Sequence, residues 1–155
     1  MPVWQAAVDL ARRTYGLTAR REFRGHGNLR DQIERAAVSI SNNIAEGFER
    51  GTTQELLTFL YIARGSAGEV HSMLCLIEPL PAFEDLKSEI SNLKSAAEGV
   101  SRQLRGWADA LQNSRITGQR YLNEKVRKSD KSRTERDEFL KRLEQIRCGG
   151  RQTEV

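Results

Sequence analysis

Two apolar runs step through this chain in strict alternation of four and three residues. The first is Leu56, Leu60, Ala63, Ala67, Val70, Leu74 and Ile77. The second is Leu86, Ile90, Leu93, Ala97, Val100, Leu104, Trp107 and Leu111. This spacing keeps one seam of an α-helix turned toward a partner helix along its whole length. Its slight mismatch with the natural helical repeat predicts left-handed supercoiling. A strand, whose side chains alternate every second residue, cannot use such a pattern. The chain must therefore bury long helices against one another. Pro79 and Pro81 separate the two runs, because proline lacks the amide a helix needs and clashes with the preceding turn.

Two more helices precede these. Trp4, Val8, Ala11 and Tyr15, widened by Ala7 and Leu10, predict a helix over about Val3–Glu22. Gly25-His26-Gly27-Asn28 reads as a turn, with Asn28 as the next N-cap and His26 as a solvated loop residue. Leu29, Ile33, Ala37, Ile40, Ile44 and Phe48, with Ala36 and Ala45 beside them, predict a second helix over about Leu29–Phe48. Thr52-Thr53-Gln54-Glu55 has the spacing of a capping box and starts the third helix, which runs to about Glu78. The fourth runs over about Phe83–Leu111. Short links between four such helices predict an all-α, antiparallel up-down four-helix bundle. It occupies residues 1–114. Residues 115–155 form a basic C-terminal extension, partly disordered or carrying a short extra helix capped at Ser132–Glu135.

A length of 155 residues suits one domain. Aromatic residues make up 6% of the chain, too few for a base-stacking platform. Cys75 and Cys148 cannot build a disulfide framework, and Cys75, in an apolar helical run, reads as a small core residue. No run approaches the roughly 18 apolar residues of a membrane span. The amino terminus lacks the basic and apolar regions of a secretory signal. The expected compartment is the cytoplasm.

Catalysis needs convergent titratable groups, and the only histidines are His26 and His71. Di-iron bundles use Glu-x-x-His, which is absent, as are the glycine-rich phosphate loops that open a helix. The expectation is a non-enzyme with no metal and no cofactor.

Charge is unevenly placed. Residues 1–114 hold 13 Lys/Arg and 14 Asp/Glu, whereas residues 115–147 hold 11 and 6. Arg12, Arg13, Arg20, Arg21, Arg24 and Arg30 cluster around the first turn between helices. Arg115, Arg120, Lys125, Arg127, Lys128, Lys131 and Arg133 crowd the extension. A charge run is often only a solvated face. Its alternative here is phosphate binding by counterion release, without base readout. The second helix carries Ser39, Ser41, Asn42 and Asn43 among apolar residues, a set suited to hydrogen bonding between helices or subunits. Glu46, Arg50, Glu55 and Arg64 are placed to pair across the second and third helices. Gly65 and Gly68 each cost about 1 kcal/mol in a helix interior. They predict close approach by a neighbouring backbone, from the bundle or from another subunit.

Several of these residues also carry a resemblance. Trp4, Ala7, Leu10 and Tyr15 are followed by Leu29-x-x-Gln32-x-x-Arg35-Ala36-Ala37-Val38-Ser39-Ile40. Next come Asn43-Ile44-Ala45-Glu46-Gly47, Arg50, Glu55, Phe59-Leu60, Ala63-Arg64-Gly65-Ser66 and Glu69. Over about residues 3–111 the chain resembles the four-helix-bundle proteins encoded in intervening sequences of bacterial 23S ribosomal RNA genes. The loop after Phe23 departs from the family by lacking its usual proline. The resemblance implies an up-down bundle assembled as a homopentamer. It also implies kinship with the accessory variability determinant proteins of diversity-generating retroelements. Those bind a reverse transcriptase and its template RNA through basic surfaces. The resulting expectation is a non-enzymatic, oligomeric nucleic-acid-binding protein, with RNA the favoured ligand. The alternative is an adaptor for a protein such as a reverse transcriptase.

Overall fold

The computed structural model describes residues 1–114 and, beyond them, positions 136, 138, 140 and 141, which are helical. The chain divides into two units, Met1–Gln119 and Arg120–Val155. The first contains α1 (Pro2–Thr18), α2 (Gly27–Glu49), α3 (Thr53–Ile77) and α4 (Lys87–Gln112). Single 3-10 segments, Arg21–Phe23 and Pro81–Leu86, lie in two of the links. Among the described residues there is no strand.

Each helix packs on two others: α1 and α3 both lie against α2 and α4. Side-chain contacts fix the directions. Thr18 near the end of α1 donates to Glu34 in the first half of α2. Tyr61 near the start of α3 accepts from Gln112 at the end of α4, at 2.8 Å. Lys94 of α4 reaches back to Glu78 just after α3, at 2.7 Å. Sequential helices are therefore antiparallel, as the short links require.

The two 4-3 runs form the core as expected. Leu56, Leu60, Ala63, Ala67, Val70, Leu74 and Ile77 are buried, and so are Leu86, Ile90, Leu93, Ala97, Val100 and Leu104. Burying each leucine or isoleucine stabilises the fold by roughly 1.5–3 kcal/mol before entropy is counted. Trp107 and Leu111 are only partly buried; Ala108 takes the last core position. Thr52 caps α3 as its spacing predicts, its Oγ1 accepting from the Glu55 amide at 3.2 Å.

α1 differs from its sequence reading. Its buried face is Val3, Ala7, Leu10, Ala11, Thr14, Leu17 and Thr18, while Trp4 and Tyr15 are 39% and 48% exposed. Two threonines made the true face hard to see. Thr14 donates to the Leu10 carbonyl at 2.8 Å and Thr18 to Glu34, so both hydroxyls are satisfied while buried. α1 also stops at Thr18. The chain then turns through Phe23, whose buried ring meets Phe83 edge-on at 4.9 Å. Gly25, at φ +87°, occupies the left-handed region that a side chain disfavours.

Other boundaries shift too. α2 starts at Gly27, so Asn28 lies in its first turn and His26 takes the cap position without a side-chain bond. His26 is half-buried, 5.3 Å from the Phe83 ring, rather than a solvated loop residue. Ala45 and Phe48 face outward. Phe83 sits in the 3-10 segment before α4. Cys75 is exposed rather than in the core, because it falls between the seam positions Leu74 and Ile77 and points off that face.

Candidate nucleic-acid interface and polar seam

The polar residues of α2 build a defined link to α3. Ser66 Oγ donates to the Ile62 carbonyl at 3.2 Å. Having spent its proton there, it accepts from Ser39 Oγ across the interface at 3.0 Å. Asn43 Nδ2 donates to Ser39 Oγ at 2.9 Å and to the Ser39 carbonyl at 2.7 Å. Ser41 donates to the Val38 carbonyl at 3.1 Å. Ser39 thus bonds across to α3, whereas Asn43 bonds only to Ser39 within α2. Ser66, which entered the sequence reading only as part of the family resemblance, is the partner. Asn42 is exposed and takes no part. It lines an open groove with Tyr15, Asp31, Glu34 and Arg35. A second open groove, of about 490 Å³, lies between Gln32, Arg35, Ser39 and Glu69.

Of Glu46, Arg50, Glu55 and Arg64, expected to pair across α2 and α3, two pair at the end of α2 itself. Arg50 pairs with Glu46 within its own helix turn and reaches α3 by lying over the Phe59 ring, 5.1 Å from its centroid. Glu55 accepts from the Thr52 hydroxyl at 2.8 Å. Arg64 is half-buried.

The glycines also change roles. A Cβ on Gly65 or Gly68 would meet nothing within 4 Å, and both residues are exposed. Close approach within the bundle is therefore ruled out at these positions. It occurs at Gly47 instead, where a Cβ would lie 2.6 Å from Phe59 Cβ.

The basic residues of the bundle are scattered among carboxylates. Arg13 lies 3.8 Å from Asp9, Arg20 3.2 Å from Glu89, Arg21 3.2 Å from Glu22 and Arg30 3.3 Å from Asp31. Arg12 and Arg24 are exposed and make no ion pair among the described residues. The surface beside Arg20 and Arg21 also presents Glu22, Asp85 and Glu89, so a phosphate there would meet both signs of charge. A backbone hydrogen bond at Glu22, aided by Arg21 and Arg20, holds its carboxyl below the usual range. The hydrogen bond from Lys94 to Glu78 holds that ammonium above the usual range. Arg115, Arg120, Lys125, Arg127, Lys128, Lys131 and Arg133 lie outside the described residues. Among the described residues, no helix is long and apolar enough to cross a membrane, and no group of three or more His, Cys, Asp or Glu side chains is placed to hold a metal.

The family model for 23S rRNA-intervening sequence proteins matches residues 1–106. The chain belongs to that family. The match spans α1 to α3 and most of α4, and the basic extension lies beyond it. A solved structure from Bacteroides thetaiotaomicron, described as a protein with unknown function from the S23 ribosomal protein family, has the same fold. Its TM-score is 0.61 at 18% identity, over 68% of this chain and 97% of that one. No curated protein matches the chain. This member of the intervening-sequence family therefore shares its bundle with a solved relative.

Proposed function

We propose that this intervening-sequence protein is a non-enzymatic, self-associating bundle that holds nucleic acid, preferentially RNA, in the cytoplasm through phosphate contacts. The charge split carries the reading. The bundle is balanced, with four of its clustered arginines beside carboxylates. Residues 115–147 hold five more cations than anions. The extension is thus the main phosphate-binding segment, and Arg12 and Arg24 add to it. Self-association, as a pentamer by family resemblance, would gather several extensions and raise avidity without new contacts. The exposed Gly65, Gly68 and Asn42 suit subunit packing.

A second reading is an adaptor for a protein such as a retroelement reverse transcriptase. The open, mixed-charge grooves on either side of Arg35 favour it.

The deciding experiment titrates the full chain against structured RNA, duplex DNA and an acidic polymer over a salt series. The comparison variant carries Arg127→Glu, Lys128→Glu, Lys131→Glu and Arg133→Glu. Phosphate binding predicts a steep log–log salt slope, reduced by about 3–4 in the variant as those contacts are lost. Equal slopes would remove the extension from the account. Binding no tighter than to the acidic polymer would leave the adaptor reading in front.

A further inference from the structure

One cluster outside the polar seam and the basic surface combines a nucleophile, a base and a carboxylate. Cys75 and His71 are one turn apart on α3, and Cys75 Sγ lies 3.7 Å from His71 Nδ1 and 3.9 Å from Nε2. Across the helix pair, His71 Nε2 lies 2.9 Å from Glu98 Oε1 on α4. A carboxylate accepts only, so the tautomer protonated on Nε2 suits Glu98, and in it Nδ1, 3.7 Å from the sulfur, is the basic nitrogen. Glu98 is itself steadied by Arg102 at 3.6 Å. Lys94 of α4 is also near the sulfur. It is bonded to Glu78, and Cys75 contributes to keeping it protonated.

The thiol is exposed and His71 is half-buried. The nearly equal distances from sulfur to the two ring nitrogens place it beside the ring rather than on the Nδ1 axis. Such pairs commonly align only once a reactant is bound. An ordinary surface cysteine on a helix has neither a base in contact nor a carboxylate orienting that base from a second helix. Nucleophile, base and orienting group in series are what an activated thiol requires.

From this geometry we infer that Cys75 is a reactive modification site, activated by His71 and Glu98, that exchanges with low-molecular-weight disulfides. The thiol proton passes to His71 Nδ1, and Glu98 stabilises the resulting imidazolium. The thiolate attacks one sulfur of the disulfide. The S–S bond breaks as the Cys75 S–S bond forms. The departing thiolate takes the proton and leaves as a thiol. The disulfide is the oxidant, and one thiol is released for each mixed disulfide made.

The test uses the full chain carrying Cys148→Ser, so that Cys75 is the only remaining thiol. Its reaction with dithiobis(nitrobenzoic acid) is timed near neutral pH by the coloured product, and adduct formation with oxidised glutathione is read by intact mass. His71→Ala should slow the reaction about tenfold or more, and added imidazole should restore part of the rate. Glu98→Gln should give an intermediate rate. His71→Gln should match His71→Ala, with helical content checked in each variant by circular dichroism. A His71→Ala rate within about twofold of the parent, no recovery with imidazole, or no glutathione adduct on the parent would each overturn the assignment.

Discussion

Gly47 of α2 lies so close to Phe59 of α3 that a Cβ at position 47 would sit 2.6 Å from the Phe59 Cβ. Glycine here sets the separation of the two helices. Leu56 Cδ1 lies 3.3 Å from the same point, and Phe59 Cβ, attached to its own backbone, cannot yield without moving α3. Gly47→Ala gains helix propensity but overpacks the interface. The expected net effect is a loss of about 1–2 kcal/mol, read by denaturant unfolding. A stabilised variant would mean that the α2–α3 spacing is softer than the structure shows.

Gly68 gives the opposite expectation. Nothing lies within 4 Å of its missing Cβ, and it is exposed on α3. Gly68→Ala should therefore stabilise the isolated bundle by about 1 kcal/mol. Unfolding and sedimentation of the same samples check this. A destabilised variant that also loses self-association would place Gly68 against a neighbouring subunit.

Ser39 and Ser66 join α2 to α3 through one hydrogen bond of 3.0 Å. Removing either hydroxyl leaves the other without its interhelical partner, so Ser39→Ala and Ser66→Ala should each cost about 1 kcal/mol. The double variant should cost less than their sum, with a coupling of about 0.5–1 kcal/mol in a double-mutant cycle. Strict additivity would show that the bond contributes nothing to stability.

The Lys94–Glu78 pair predicts a pH effect of defined sign. Lys94 is raised above its ordinary value of 10.5 when folded, mainly by its hydrogen bond to Glu78. The stabilisation is then fully present below the unfolded lysine's pKa. It is lost as pH rises through the higher folded value. Glu78→Gln should unfold at lower denaturant than the parent near neutral pH, and the gap should narrow in strongly alkaline solution. A gap that stayed constant through the lysine range would assign the effect to packing.

Much of the bundle is legible in the sequence. The α3 and α4 seams are strict repeats of large apolar residues, and a helix with such a repeat has one face it can bury. The Thr52–Glu55 cap is equally local, needing only two residues at the right spacing. α1 was misread because small and polar residues share its buried face. Thr14 and Thr18 look like surface residues until their hydroxyls are seen to be bonded, whereas Trp4 and Tyr15 look like core and face outward.

The candidate sites were less legible. Ser39 stands out in the sequence as a polar residue among apolar ones, yet its partner Ser66 lies 27 residues away, and pairing at that separation depends on helix register. The clustered arginines stood out by count, but counting does not show which carboxylates stand beside them. Glu89 reaches Arg20 from 69 residues along the chain.

The sequence by itself determined that the chain makes four long helices, where two of them bury their seams, and that the positive charge gathers after residue 114. These follow from local periodicity and composition, which act within a few turns or by simple sum. Tertiary structure decided which face α1 buries, which glycine admits a neighbouring helix, and which side chains meet across α3 and α4. His71 and Glu98 stand 27 positions apart and come within 2.9 Å only because two antiparallel helices settle in one register. That register is fixed by the packing of the whole core, which no single segment encodes.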